Sequence, residues 1–131
     1  MKTKKIWANL AVSDLERTTQ FYTNVGFKPN GRSSELTSFC VGDDDFIMHF
    51  FVKSNIETAL KGPVADLSQG NEVIFTLGAK SKEEVDQWAQ AVEAAGGVMI
   101  SKPEEFGKGY YGFVFADPDG HKFNVFWMEG L

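Results

Sequence analysis

The sequence predicts an α+β fold: two βαβββ modules whose strands form a cup-shaped mixed sheet with the helices outside. Three observations carry this. The order strand, helix, strand, strand, strand occurs twice. Each long helical stretch opens on a serine with a glutamate three residues later and closes on glycine. The 131 residues, 43% apolar and 24% charged, suffice for one domain with a real core but not for two conventional ones. The expected layout is a single domain over 1–131, with module one at 1–53, a connector at 54–70 and module two at 71–131.

Residues 5–12 alternate and are rich in apolar side chains, so they read as a strand. Ser13-Asp14-Leu15-Glu16 has the form of a capping box, in which Ser and Glu each satisfy a free backbone N–H. A helix is expected from Asp14 to about Asn24, with Leu15, Thr18, Thr19 and Tyr22 at helical spacing and Gly26 as its stop. Strands follow at 27–32 and 36–41, then the acidic turn Gly42-Asp43-Asp44-Asp45, then a strand at 46–52. In the connector, Ser54-Asn55-Ile56-Glu57 is a second box that opens a short helix through Leu60, and Gly62-Pro63 breaks it.

The second module repeats the order. Residues 71–78 read as a strand, Ser81-Lys82-Glu83-Glu84 as a third box, and Val85, Trp88, Ala89 and Val92 as a helical stripe stopped by Gly96-Gly97. A short strand at 98–101, a loop at 102–108 and an aromatic strand at 110–116 come next. Asp117-Pro118-Asp119-Gly120 is a turn, and 121–128 is the last strand. Laid over each other, the copies match Ser13 with Ser81, Leu10 with Phe75, Val12 with Leu77, and His49 with Asn124. A helix covers one face of each small sheet, and two copies can cup their other faces around a shared cavity.

Composition excludes several function classes. Lys plus Arg is 13 and Asp plus Glu is 18, a net charge of −5, so no basic face for nucleic acid is expected. An acidic surface suits neutral or cationic small molecules better. Cys40 is the only cysteine, which excludes an internal disulfide and a thiolate metal cluster and points to a reducing, cytoplasmic location. The basic start is followed by a short apolar run containing Asn9, unlike a signal peptide, and no apolar stretch approaches the roughly 18 residues of a membrane span. No phosphate loop, nucleophile elbow or dinucleotide fingerprint occurs. Aromatic residues reach 14%, with 12 Phe, 3 Trp and 3 Tyr, enough to line a ligand pocket as well as fill a core.

The run Asn9-Leu10-Ala11-Val12-Ser13-Asp14-Leu15-Glu16, with Phe21-Tyr22 and Gly26-Phe27, resembles the first strand and helix of the vicinal oxygen chelate superfamily. Ala116-Asp117-Pro118-Asp119-Gly120-His121 resembles the approach to its last strand. That superfamily includes glyoxalase I, extradiol dioxygenases and the bleomycin- and fosfomycin-resistance proteins, and the resemblance covers nearly the whole chain. It implies a cup-shaped sheet, a homodimer and, in the enzymes, one divalent metal held by His, Glu or Gln from the first and last strands of each module. The matching positions here are Trp7, His49, Glu72 and Asn124. Trp7 cannot ligate a metal and Asn124 offers only a neutral amide oxygen. That leaves His49 and Glu72, short of the about three strong protein ligands of a catalytic site. No cofactor is therefore expected, and His49 and Glu72 are the weak metal candidates.

Strand parity orders the remaining candidates. Ile6, Ala8, Leu10 and Val12 should meet the helix, while Trp7, Asn9 and Ala11 should face the cup. Trp7 either fills the cavity or stacks against a planar or cationic ligand. Asn9 and Asn124 are inward polar groups that need partners, from ligand or water. His49 shares a face with Ile47 and Phe51, as a satisfied sheet histidine or as a pocket residue. Glu72 is a solvated acid or, with His49, a proton-transfer pair. Tyr110 and Tyr111 border the loop 102–109, whose Gly107 and Gly109 imply mobility, and only one of the two tyrosines can face the cup. Cys40 reads as a small buried apolar residue, His121 as an exposed turn histidine, and Asp43-Asp44-Asp45 as a solvated hairpin without calcium-loop spacing.

The expected ligand-binding set is Trp7, Asn9, His49, Phe51, Glu72, Tyr110 and Asn124, with no catalytic residue assigned. The first functional expectation is a metal-free binder of a small organic molecule in an aromatic cavity, of the sequestering or resistance type. The alternative is a divalent-metal-dependent lyase or isomerase of the glyoxalase I type, using His49 and Glu72 with Asn124 and water. A third is a dimeric module with no ligand of its own. Nucleic acid and membrane are not expected partners.

Overall fold

The structure is a computed structural model that describes residues 1–131, in two compact units, Met1–Ala65 and Asp66–Leu131. Unit one contains β1 (Ala8–Val12), α1 (Leu15–Val25), β2 (Lys28–Arg32), β3 (Leu36–Val41), β4 (Phe46–Val52) and α2 (Lys53–Leu60). Its sheet runs β1-β4-β3-β2, with β1 parallel to β4 and the other pairs antiparallel. Unit two contains β5 (Ile74–Gly78), α3 (Lys82–Ala94), β6 (Val98–Met99), β7 (Glu104–Glu105), β8 (Tyr110–Ala116) and β9 (Lys122–Met128). Its sheet runs β5-β9-β8-β6, with β7 also on β8 and β5 parallel to β9. Each unit thus has the predicted strand–helix–strand–strand–strand order, with one extra two-residue strand in the second. No helix is long and apolar enough to cross a membrane.

Helix α1 starts one residue later than the capping box implies. Asp14, not Ser13, is the cap, and its carboxylate accepts the Arg17 N–H at 3.0 Å. Ser13 Oγ instead accepts from the Arg17 guanidinium, and Glu16 turns to Arg32 and Gln20. Those neighbours hold the Glu16 carboxyl below the ordinary carboxylate range, with the Arg32 hydrogen bond the largest cause. The second capping box does not form either. Helix α2 begins at Lys53, directly from β4, with Val52 at its cap and no side-chain cap bond. The third does cap its helix: Ser81 Oγ accepts the Glu84 N–H at 3.1 Å.

The cores follow from one face of each helix. Helix α1 buries Phe21, Tyr22 and Val25, and the Tyr22 ring stacks on Phe50 at 4.4 Å beside Phe27 and Phe39. Helix α3 buries Val85, Ala89 and Val92 and packs on β6, β8 and β9, where Phe115 stacks on Phe123 at 5.1 Å. Leu10, Val12, Phe75 and Leu77 point to these helix-covered sides, as parity predicts. Ile6 does not, because it precedes β1 and is exposed.

The registers of the two modules differ. Asn9 lies opposite His49, whereas Asn124 lies opposite Thr76 rather than Ile74, the counterpart of Asn9 in the repeat. A slip of two residues keeps every side chain on its own face, so it leaves the core intact.

The first strand of each module is shorter than predicted. Both are edge strands with a single neighbour. Ile74 pairs with Lys122, the first residue of β9, so Glu72 would fall opposite the preceding turn, which offers no ladder. There Asn71 instead donates from Nδ2 to the Gly120 carbonyl at 2.9 Å. Trp7 likewise lies before β1.

The Asp117–Gly120 turn is built around one carboxylate. Asp117 is buried and accepts from the backbone N–H groups of Asp119 and His121, at 3.0 and 2.8 Å. Its other oxygen lies 2.9 Å from His121 Nδ1. His121, expected to be an exposed turn residue, therefore has a side chain only 12% exposed and held by its own turn. Asp44 and Asp45, by contrast, form an exposed turn as expected.

Gly112, in the middle of β8, is buried, and a Cβ there would run into the Val125 carbonyl oxygen. That atom is backbone and cannot rotate away. Gly112→Ala is expected to lower stability by about 1–3 kcal/mol, the usual cost of overpacking. Urea denaturation would show it as a lower midpoint at unchanged slope.

Candidate ligand-binding site

Strand side chains alternate between two sides, so each sheet has a face turned away from its long helix. In module one this face carries Asn9, His49 and Ser38 in direct register across β1, β4 and β3. Asn30 Nδ2 extends the row by donating to Ser38 Oγ at 3.0 Å. One step along, Ala11, Phe51 and Leu36 form a second row, and the His49 ring meets Phe51 edge-on at 5.9 Å. His49 Nδ1 is shielded from solvent and has no hydrogen-bond partner. A buried polar atom without a partner costs about 1–3 kcal/mol, so this nitrogen calls for a partner from outside the chain, such as water. Cys40 shares the face and is half-buried.

In module two the equivalent face carries Lys122, Asn124 and Phe126 from β9. They are flanked by Ile74 and Thr76 of β5 and by Gly112 and Val114 of β8. Three rings gather at one end. Tyr110 stacks on Phe126 at 5.6 Å and on Phe106 at 6.2 Å, and Phe106 lies 5.6 Å from Phe126. Gly112, opposite Phe126, leaves the aromatic ring without a cross-strand side chain. Gly107 has φ +62°, and its Cα hydrogen faces the Tyr110 ring where a Cβ would come to 3.1 Å, so glycine lets the segment close over the tyrosine.

Phe106 reaches this end because its segment is fixed from the other side of the sheet. The loop predicted at 102–108 contains β7, where Glu104 and Glu105 pair with Gly112 and Tyr111. Two acidic residues give no strand pattern in sequence, and only the β8 edge makes them one. Glu105 also accepts from Lys82 Nζ at 2.9 Å, and that ammonium stands over the rings of Tyr111 and Trp127 at 5.8 and 5.4 Å. Tyr111 faces α3, donating its hydroxyl to Asp86 at 2.7 Å. That bond to a carboxylate favours the protonated phenol and raises its pKa above the ordinary tyrosine value. Only Tyr110 faces the side away from α3, as the alternation of the two tyrosines requires.

The predicted site residues separate into three groups. Asn9, His49 and Phe51 share the module-one face, and Tyr110 and Asn124 share the module-two face. Trp7, 50% exposed, and Glu72, also exposed, lie before β1 and β5, outside the paired strands. Asn9 is exposed as well, so it needs no buried partner. Sequence reasoning missed Phe126, Phe106 and Thr76. Phe126 was legible, since it is the repeat counterpart of Phe51 and two residues beyond Asn124. Phe106, alone in a loop, gave no periodic signal.

The donor set does not fit a divalent transition metal. Nowhere do three or more His, Cys, Asp or Glu side chains converge. Trp7 has no ligating atom, Asn124 has only a neutral oxygen, and Glu72 is exposed.

The family model for the Glyoxalase/Bleomycin resistance protein/Dioxygenase superfamily matches residues 6–125. No curated protein matches the sequence. Among solved structures, a hypothetical protein from S. aureus is 31% identical with a TM-score of 0.86, covering 97% of this chain and 95% of its own. A glyoxalase-related enzyme from Fulvimarina pelagi is 21% identical with a TM-score of 0.83, covering 95% of this chain and 88% of its own. A lactoylglutathione lyase from Agrobacterium tumefaciens is 21% identical with a TM-score of 0.68, covering 96% of this chain and 95% of its own. The last two likenesses bear on fold alone.

The Lys82 tether is testable without a ligand. Lys82→Met removes an exposed ion pair and two cation–π contacts, together about 1–2 kcal/mol. Amide exchange over residues 102–109 is expected to speed up several-fold, while Lys82→Arg keeps it slow. Equal exchange in all three proteins would show that Lys82 does not hold the segment.

Proposed function

The chain belongs to the glyoxalase/bleomycin resistance protein/dioxygenase superfamily, and on that premise we propose that it binds a small organic molecule on the aromatic face of its second module, without a divalent metal. The observation that carries this reading is the Phe106–Tyr110–Phe126 cluster beside Asn124, on the side of the sheet away from α3. Phe106 is 41% and Tyr110 38% exposed. Apolar surface left in water costs about 25 cal/mol per Å², and a planar ligand laid on these rings recovers that cost. Asn124 and Thr76, adjacent in register, offer an amide and a hydroxyl that fix the ligand's orientation. The row of Asn9, His49 and Ser38 gives module one a separate polar face.

Metal-dependent lyase chemistry needs a Lewis acid to polarise the substrate oxygen or activate water. The residues at the positions where the family resemblance puts ligands do not make such a site, and no proton transfer between His49 and Glu72 is part of this reading. The protein then acts by holding its ligand rather than transforming it at a metal.

Two measurements test the proposal. Calorimetric titration with naphthol, a planar neutral probe, is expected to show binding that survives chelator, with Phe126→Ala weakening it by about 1 kcal/mol, or several-fold. Melting temperatures are expected to stay flat on addition of Zn²⁺, Ni²⁺, Fe²⁺ or Mn²⁺, since a metal bound to the native state alone would raise them. A metal-induced rise, or naphthol binding that depends on metal, would refute the metal-free reading.

A further inference from the structure

Building on the proposed aromatic site, we infer that its ligand carries an anionic group as well as a ring, and that Lys122 selects it. Lys122 sits on the same face of β9 as Asn124 and Phe126, at alternate positions of one strand. Across the sheet it lies between Ile74 of β5 and Ala116 of β8, both apolar. It is half-buried and takes part in none of the ion pairs of the structure. What sets it apart is burial, since every other lysine of the chain is exposed. Of the acids near it in register, Asp117, next to Ala116, spends its carboxylate on the Asp119 and His121 N–H groups and the His121 ring, and Glu72, two residues before Ile74, is exposed and forms no bond to the ammonium.

The face therefore presents an ammonium, then an amide beside a hydroxyl, then three rings. Lys122 and Phe126 are four residues apart, about 13 Å along a strand at roughly 3.3 Å per residue. The lysine stem spans part of that length, so the matching ligand is a short arylalkyl acid, with its carboxylate or phosphate at Lys122 and its ring among Phe106, Tyr110 and Phe126. A lysine seated between apolar neighbours makes a stronger charge-assisted hydrogen bond than one surrounded by water. It also rejects cations, which adds a repulsive element to the selection. The acidic net charge points toward neutral or cationic ligands, but the charge on the face itself has the opposite sign, and contact distance favours the local group over the screened total.

The test compares naphthylpropionate, its primary amide and naphthylpropylammonium, titrated into the full-length protein by calorimetry. The acid is expected to bind about tenfold more tightly than the amide, the gain of one hydrogen bond to a charged group. The ammonium probe is expected to bind most weakly. Lys122→Met should erase the preference of acid over amide, and Lys122→Arg should keep it. The preference should also shrink as salt is raised. Melting curves of both variants show whether they fold, and Lys122→Gln provides a second neutral variant if Lys122→Met does not. Equal affinity for acid and amide, or a preference that survives Lys122→Met, would overturn the role of Lys122 while leaving the aromatic site standing. Failure of all three probes to bind would overturn both.

Discussion

Each sheet of this protein has its long helix on one side only, and the alternation of strand side chains turns that into a division of labour. On the helix side, Tyr22 stacks on Phe50 in one module and Phe115 on Phe123 in the other, close-packed and shut off from solvent. On the opposite side stand the residues able to do chemistry: His49 next to Phe50, and Asn124 next to Phe123. Register is what keeps the two sets apart. A slip of one residue would exchange Phe50 with His49 and put an imidazole under α1, whereas the observed two-residue difference between modules changes neighbours without changing faces.

The second module adds a device that aims its face. Strand β9 starts from a turn closed by the buried Asp117, which gathers two backbone N–H groups and the His121 ring. Asn71 ties the chain before β5 to the same turn. The first residue after this assembly is Lys122, so its position and those of Asn124 and Phe126 are set by a hydrogen-bonded corner rather than by a free loop. At the far end, β7 and the Lys82–Glu105 pair bring Phe106 to Phe126. Both ends of the face are thus held by groups that do not lie on it.

Much of this was legible in the sequence because punctuation and alternation are local. Glycines and the Asp-Pro-Asp-Gly run mark the breaks, and β3, β4 and β8 coincide with the patterned stretches 36–41, 46–52 and 110–116. What was not legible depends on partners. Residues 5–7 and 71–73 continue the alternation of the strands they precede, yet a strand needs a neighbour with free backbone groups, and Glu72 meets a turn instead. The Ser13 cap was displaced because a carboxylate one residue on reaches the same helix end. The Ser54 cap was lost because β4 runs straight into α2. The polar row was half visible: parity placed Asn9, His49 and Phe51 together, but Ser38 and Asn30 join only through the β2–β3 and β3–β4 registers.

The two modules show how such a scaffold changes its chemistry at small cost in stability. Residues on the face away from the helix contribute little to the helix–sheet core, so their identity is less constrained by packing and more by hydrogen-bond satisfaction. At matched positions module one places His49 and Phe51 where module two places Asn124 and Phe126. The aromatic residue is kept, and the titratable one becomes an amide. The neighbouring row diverges further, from Asn9 and Ser38 around His49 to Thr76 and Val114 around Asn124. A metal cage would bind these positions into one constraint, since each ligand would be required by the others. An indole before β1 and an amide in β9 supply neither an imidazole nor a carboxylate to such a cage, and the two faces differ in kind: polar in the first module, aromatic with a single ammonium in the second.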